Sequence, residues 1–176
     1  HPKKITRLQT CSKAGRRIMI QKLHHAAYRC RDSEETRQFY EDFLGLPLTH
    51  AFEITTTATG NQAEVLHAFY ALEDGSSLAF FEAPKQPFEF KSQHDFDLHI
   101  ALEVSRDVLL ERFEMGRRMG VETRGITDHG FIESIYFRDP NGYVVELTAK
   151  TTQASVNESS ARDALNAWQA SKPDSI

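Results

Sequence analysis

The chain has 176 residues, 40% of them hydrophobic and 26% charged, with a formal net charge of −4 at pH 7 and a pI near 6.1. This is the composition of a globular domain long enough to bury a core, and its weak negative charge supplies no basic field for a phosphate backbone or an anionic lipid surface. No apolar run approaches spanning length, so no nucleic acid and no membrane partner is expected, and the expected compartment is the cytoplasm.

Residues 1–18 are basic and irregular and read as a leader or flexible arm, with Met19 as a start for the folded unit. Cys11 lies in that leader and Cys30 in a strand; two cysteines are too few for a disulfide framework or a thiolate metal site. From 22 to 84 the pattern is strand, helix, three strands. "LHHAAYRC" alternates; Asp32 with Glu35 reads as a capping box; Phe39, Tyr40, Phe43 and Leu44 make an apolar stripe that stops at Gly45. "LTHAFEIT", "AEVLHAFYAL" and "SSLAFFEA" follow, the last two joined by "EDG".

The same order returns from 96 to 150. "LHIALEV" is a strand, Ser105 an N-cap, Leu109 and Phe113 part of a buried stripe, Gly120 the stop, and "VETRGIT", "FIESIYF" and "YVVELTA" are strands with "DPNG" as the final turn. The chain thus reads as an α+β domain over 19–150 built from paired βαβββ modules. The remainder, 151–176, is a tail whose "SSARDALNAWQASK" has Ala161, Leu165 and Trp168 at helical spacing.

The repeat assigns the adjacent histidines His24 and His25. In the second module Leu98, Ile100, Leu102 and Val104 form one apolar face and leave His99, Ala101 and Glu103 on the other. His25, Ala27 and Arg29 repeat that order, so His25 is the counterpart of His99, and His24 is structural, on the face that packs under the helix. A lone strand histidine is ordinarily just a hydrogen-bonded residue; two at matching places point to a shared role. Each module also ends in a strand with one acid among apolar residues, Glu82 and Glu146, and an ionised carboxylate there needs a partner. A pseudo-two-fold between modules would gather His25, Glu82, His99 and Glu146 around a cation, a mixed set that suits iron, manganese, nickel, cobalt or zinc better than calcium.

"LHHAAYRCRDSEETRQFYEDFLGLPL", "LHIALEV" and "SIYFRDPNGYVVEL" resemble the opening strand and helix, the histidine strand and the closing hairpin of the vicinal-oxygen-chelate superfamily of glyoxalases, bleomycin- and fosfomycin-resistance proteins and extradiol dioxygenases. The resemblance implies a curved mixed sheet or half-barrel around one divalent metal (Ni, Co, Zn, Mn or Fe(II)), with ligands at His25, His99 and Glu146. It also implies a small-molecule substrate and a homodimer.

Two chemistries follow. With Glu82 as fourth ligand the resemblance implies a glyoxalase-like isomerase or lyase working through a metal-bound enediolate, with Glu82 or Glu146 as proton shuttle. With Glu82 turned away, the three-ligand site of an Fe(II) extradiol ring-cleaving dioxygenase is the alternative, and Tyr136 and His129 then help bind substrate and oxygen. A non-catalytic drug-binding protein is the third reading. Arg29 and Glu103 hold matching positions, either as an ion pair or with Arg29 on a substrate carboxylate. His67 has ambiguous parity.

Overall fold

Asp32 ends the first strand and starts the first helix. Its side chain accepts the backbone N–H of Glu35 at 2.8 Å, satisfying one of the helix's unpaired donors, while the Glu35 carboxylate turns to an ion pair with Arg31 instead of closing the expected box. The computed structural model describes residues 19–56, 58–92, 94–151 and 158–172; the expected leader and Cys11 lie outside them. Strand β1 (His25–Cys30) leads into helix α1 (Ser33–Arg37), which widens into a π-helical turn over Gln38–Phe43. Strands β2 (Leu48–Thr56), β3 (Gln62–Ala71) and β4 (Ser77–Glu82) complete the first module. The second comprises β5 (Ile100–Glu103), α2 (Arg106–Met119), β6 (Thr123–Asp128), β7 (Ile132–Arg138) and β8 (Val144–Lys150).

Both modules have the same wiring. The sheets run β1-β4-β3-β2 (sheet A) and β5-β8-β7-β6 (sheet B); β1 is parallel to β4 and β5 to β8, and the remaining pairs are antiparallel. The α+β fold of βαβββ modules read from the sequence is the fold observed. The two mixed sheets remain separate within the chain and are not closed into a barrel, so β1 and β5 are edge strands.

Each sheet buries one face. Cys30, Leu78, Phe80 and Tyr70 pack on Tyr40 and Phe43, and Ile100, Leu102, Ile135, Phe137, Val145 and Leu147 form the corresponding layer with Leu109 of α2. Both layers belong to a single core, with Phe43 edge-on to Phe137 at 5.1 Å. Burial removes this apolar surface from water at about 25 cal/mol per Å2, the main favourable term.

A polar joint fixes one module on the other. The Asp139 carboxylate accepts from Tyr40 Oη (2.9 Å), Asn141 N (2.9 Å), Asn141 Nδ2 (3.1 Å) and Tyr143 N (2.8 Å). Asn141 also accepts the N–H of Arg31 and donates to Thr36, and Tyr143 Oη donates to the Arg29 carbonyl. The "DPNG" segment is therefore more than a hairpin turn: it plugs the start of α1. Gly142, at φ +98°, is required there, since a Cβ would lie 2.6 Å from the Lys91 nitrogen.

Helix α3 (Glu158–Ser171) forms as the spacing predicts, with Leu165 and Trp168 of its stripe exposed. Among the described residues no helix is long and apolar enough to cross a membrane.

Candidate metal centre

On sheet B the face away from α2 carries His99 and Ala101 from β5 and its approach, Glu146 and Thr148 from β8, and Ser134 and Tyr136 from β7. The register sets Ala101 and Tyr136 on either side of Glu146. His99 Nδ1 lies 2.7 Å from the backbone carbonyl of Asp95, an acceptor only, so Nδ1 donates there and Nε2 is the ring nitrogen turned to Glu146. Nε2 lies 3.3 Å from Glu146 Oε2, on a side chain 8% exposed. Such a hydrogen bond on the far nitrogen is how a metal-ligating histidine is oriented.

Two further predicted residues adjoin this pair. Tyr136 Oη lies 3.0 Å from His129 Nε2, at the exposed end of β6. Burial, then the Glu146 carboxylate, hold the Tyr136 hydroxyl above the ordinary phenol range, so it stays protonated and available as a donor.

The sheet A face away from α1 is aromatic. His25 sits at its edge with ring neighbours His24, His67 and Phe69; its ring lies 6.4 Å from His67 and 5.4 Å from Phe69. His67, whose parity the sequence left open, lies on this face, stacked on Phe81 at 3.7 Å and 7°, with Nδ1 3.2 Å from the Phe80 carbonyl. Phe52 continues the wall on β2, and a cavity of about 460 Å3 lined by His24, His50, Phe52, Phe69 and Ser77 opens beside it. His24 is exposed, with Nδ1 2.8 Å from His25 Nδ1, rather than packed under the helix.

Glu82 is not brought to either group. The register pairs His25 with Ser77 and puts Glu82 opposite Cys30, on the helix-facing side and five residues further along β4, about 16 Å away. Its carboxylate accepts the N–H of Ser33 at 2.8 Å, at the start of α1. The expected fourth ligand is thus a helix-end acceptor, and the place that matches Glu146, opposite Ala27, holds Ala79. The Arg29–Glu103 pairing is absent too: Glu103 pairs with Lys150, and Arg29 donates to Gln86 and the Ala83 carbonyl.

Among the described residues no group of three or more His, Cys, Asp and Glu side chains is arranged to hold a metal within one chain. The donor chemistry fits a divalent transition metal at His99 and Glu146, which supply two of the ligands needed; His25 stands on the other sheet. One residue that sequence reasoning missed joins the His99–Glu146 group: Arg124 of β6 donates through Nη2 to both oxygens of the Asp95 carboxylate and covers the Tyr136 ring. Its alternation on β6, opposite Tyr136, was the available signal.

Solved structures share this architecture. The fosfomycin resistance protein FosX from Listeria monocytogenes, complexed with Mn(II) and sulfate ion, is 21% identical over 77% of this chain and 97% of its own, with a TM-score of 0.58. A glyoxalase/dioxygenase from Nostoc punctiforme is 21% identical over 82% of this chain and 99% of its own, with a TM-score of 0.58. A glyoxalase family protein from Enterococcus faecalis is 20% identical over 74% and 99%, with a TM-score of 0.57. At such identities the likeness is one of fold. No curated protein sequence matches the chain. The family profile described as Glyoxalase/Bleomycin resistance protein/Dioxygenase superfamily matches residues 22–147, well over half the sequence, and the chain belongs to that superfamily.

Proposed function

We propose that the protein is a divalent-metal enzyme whose centre is shared between two copies of the chain, His25 from one and His99 with Glu146 from the other, and that it opens an aromatic ring bearing two vicinal oxygens. The observation that carries this reading is the incomplete pair: His99 Nε2 and Glu146 Oε2 at 3.3 Å, with Nδ1 already satisfied and His25 exposed on a separate sheet whose edge strand β1 is paired on one side only. Edge strands β1 and β5 start near these histidines and carry Ala27 and Ala101, small and exposed, on the same faces. A homodimer that joins such edges removes two exposed backbone ladders and completes two centres.

Three protein ligands favour ring cleavage over isomerisation. A 2-His-1-carboxylate set leaves three positions, enough for two substrate oxygens and O2 on Fe(II). Glyoxalase-type isomerisation, the first expectation, is the weaker reading, because Glu82 is held at Ser33 and the place matching Glu146, opposite Ala27 as Glu146 is opposite Ala101, holds Ala79. A metal held by His25, His99 and Glu146 would supply Lewis acidity that favours the ionised form of the substrate oxygens.

The chain's own residues do the rest. Phe69, with Phe52 and the stacked His67–Phe81 pair, offers a flat apolar wall beside His25 against which a ring can lie. Tyr136 Oη, kept protonated, donates to an oxygen at Glu146, and His129 Nε2 at 3.0 Å passes the proton to or from solvent at the rim. One ring C–C bond beside the oxygens breaks, and both atoms of O2 end in the product.

Anaerobic reconstitution with Fe(II), followed by catechol or naphthalene-2,3-diol and air, tests this. A ring-opened chromophore with one O2 consumed per diol is expected; metal uptake without oxygen consumption, combined with turnover of the methylglyoxal–glutathione hemithioacetal, would return the case to isomerisation. Absence of any transition-metal uptake would leave a drug-binding protein.

A further inference from the structure

The ligand His99 is not locked by packing: its side chain is 41% exposed. What sets its ring is the Asp95 carbonyl at 2.7 Å, and Asp95 belongs to a short turn over 94–98 held by backbone bonds to His94. The side-chain tie from that turn to the sheet is Arg124. Its Nη2 donates to both carboxylate oxygens of Asp95, at 3.1 and 2.9 Å. The same guanidinium lies 5.3 Å from the centre of the Tyr136 ring, and Glu122 stands 3.9 Å from its Nε. One planar cation therefore touches the segment that orients His99 and the ring that neighbours Glu146, a task suited to a guanidinium, which donates at its tip and stacks by its face.

We infer that Arg124 is a positioning residue of the metal centre: by gripping Asp95 it holds the Asp95 carbonyl on His99 Nδ1, so that Nε2 is the nitrogen turned to Glu146 and free for a metal. The inference rests on the reading of His99 as a ligand, but the clamp acts on the metal-free protein as well. An ion pair with side chains 45% and 24% exposed contributes little to folding, so removing it separates positioning from stability.

The test uses the full chain as wild type, R124Q, R124K and D95N. Nitrogen-15 NMR of the histidine rings at about pH 8, where imidazole is neutral, reads the His99 tautomer without metal. Calorimetric titration with Mn(II) reads affinity. Wild type is expected to show Nδ1–H at His99. R124Q and D95N are expected to show a mixed tautomer and a Mn(II) affinity about 10- to 100-fold lower, at unchanged Tm, with R124K between wild type and these variants because an ammonium can still donate to Asp95 but lacks the plane that covers Tyr136. A wild-type tautomer pattern together with Mn(II) affinity within about twofold in both R124Q and D95N would overturn the clamp. If wild type takes up no Mn(II) while the tautomer still answers to R124Q, the clamp stands and the metal reading falls. Should R124Q fail to fold, D95N weakens the same contact from the other side by removing its charge and one of its two acceptors.

Discussion

Mixing two disabled variants separates a shared centre from one within a chain. H25A removes the single ligand on sheet A, and H99A removes one of two on sheet B; each alone leaves every shared site broken. If the chains exchange at random, half of the dimers are mixed. Each mixed dimer has one site with His25 from the H99A chain and His99 with Glu146 from the H25A chain, and one site lacking both histidines. Half of half the sites are intact, so about a quarter of wild-type metal binding and turnover returns. The magnitude follows from where the ligands sit, since no group of three or more donors forms within one chain among the described residues. The assay is co-refolding or mild-denaturant exchange of equal amounts, then Mn(II) stoichiometry and diol turnover. Recovery of nothing from the mixture, with exchange verified by a size or mass tag, would refute a two-copy site.

Other outcomes follow from particular contacts. F69A, which removes a ring 5.4 Å from that of His25, is expected to weaken naphthalene-2,3-diol binding to the Mn(II)-loaded protein about tenfold in a fluorescence titration while Mn(II) affinity holds; unchanged diol affinity would remove the wall from the site. Y40F deletes a buried donor to Asp139 and is expected to cost about 1.5–3 kcal/mol in urea unfolding at neutral pH. Burial raises the Asp139 pKa despite its donors, so the ionised form costs the native state at neutral pH and that cost is relieved as pH falls through the raised value. Tyr40 lowers that pKa, and the Y40F deficit should therefore shrink on acidification; a deficit independent of pH would contradict this. Burial pushes the Cys30 thiol up to about 11, so iodoacetamide at neutral pH should leave Cys30 unlabelled in the native protein and label it in urea, as read by peptide mass spectrometry.

The parts legible in the sequence were those set by local period and punctuation. Alternation in "LHIALEV" separated His99 from the apolar face, Ser105 and Gly120 bounded α2, and the second copy of the pattern gave the module wiring before any long-range contact was known. Glu82 shows where such reasoning ends. In "SLAFFEA" an acid follows two phenylalanines, and which of its neighbours shares a face with His25 depends on the offset between β1 and β4, strands far apart in the chain. An offset of one residue reverses the assignment. Asp139 and Asn141 read as turn formers for the same reason: their partners Tyr40 and Thr36 are about a hundred residues away, and only tertiary packing reveals the joint. For Arg124, alternation on β6 offered only its side of the strand, because its partner Asp95 lies in a turn with no periodic signal.

The Asp139 joint and the aromatic wall share no residue and lie on opposite sides of sheet A. Substitutions at positions 50, 52 or 69 can therefore reshape what the cleft admits without loosening the frame that carries the histidines. A chain organised this way is free to drift in ligand preference while its architecture stays fixed.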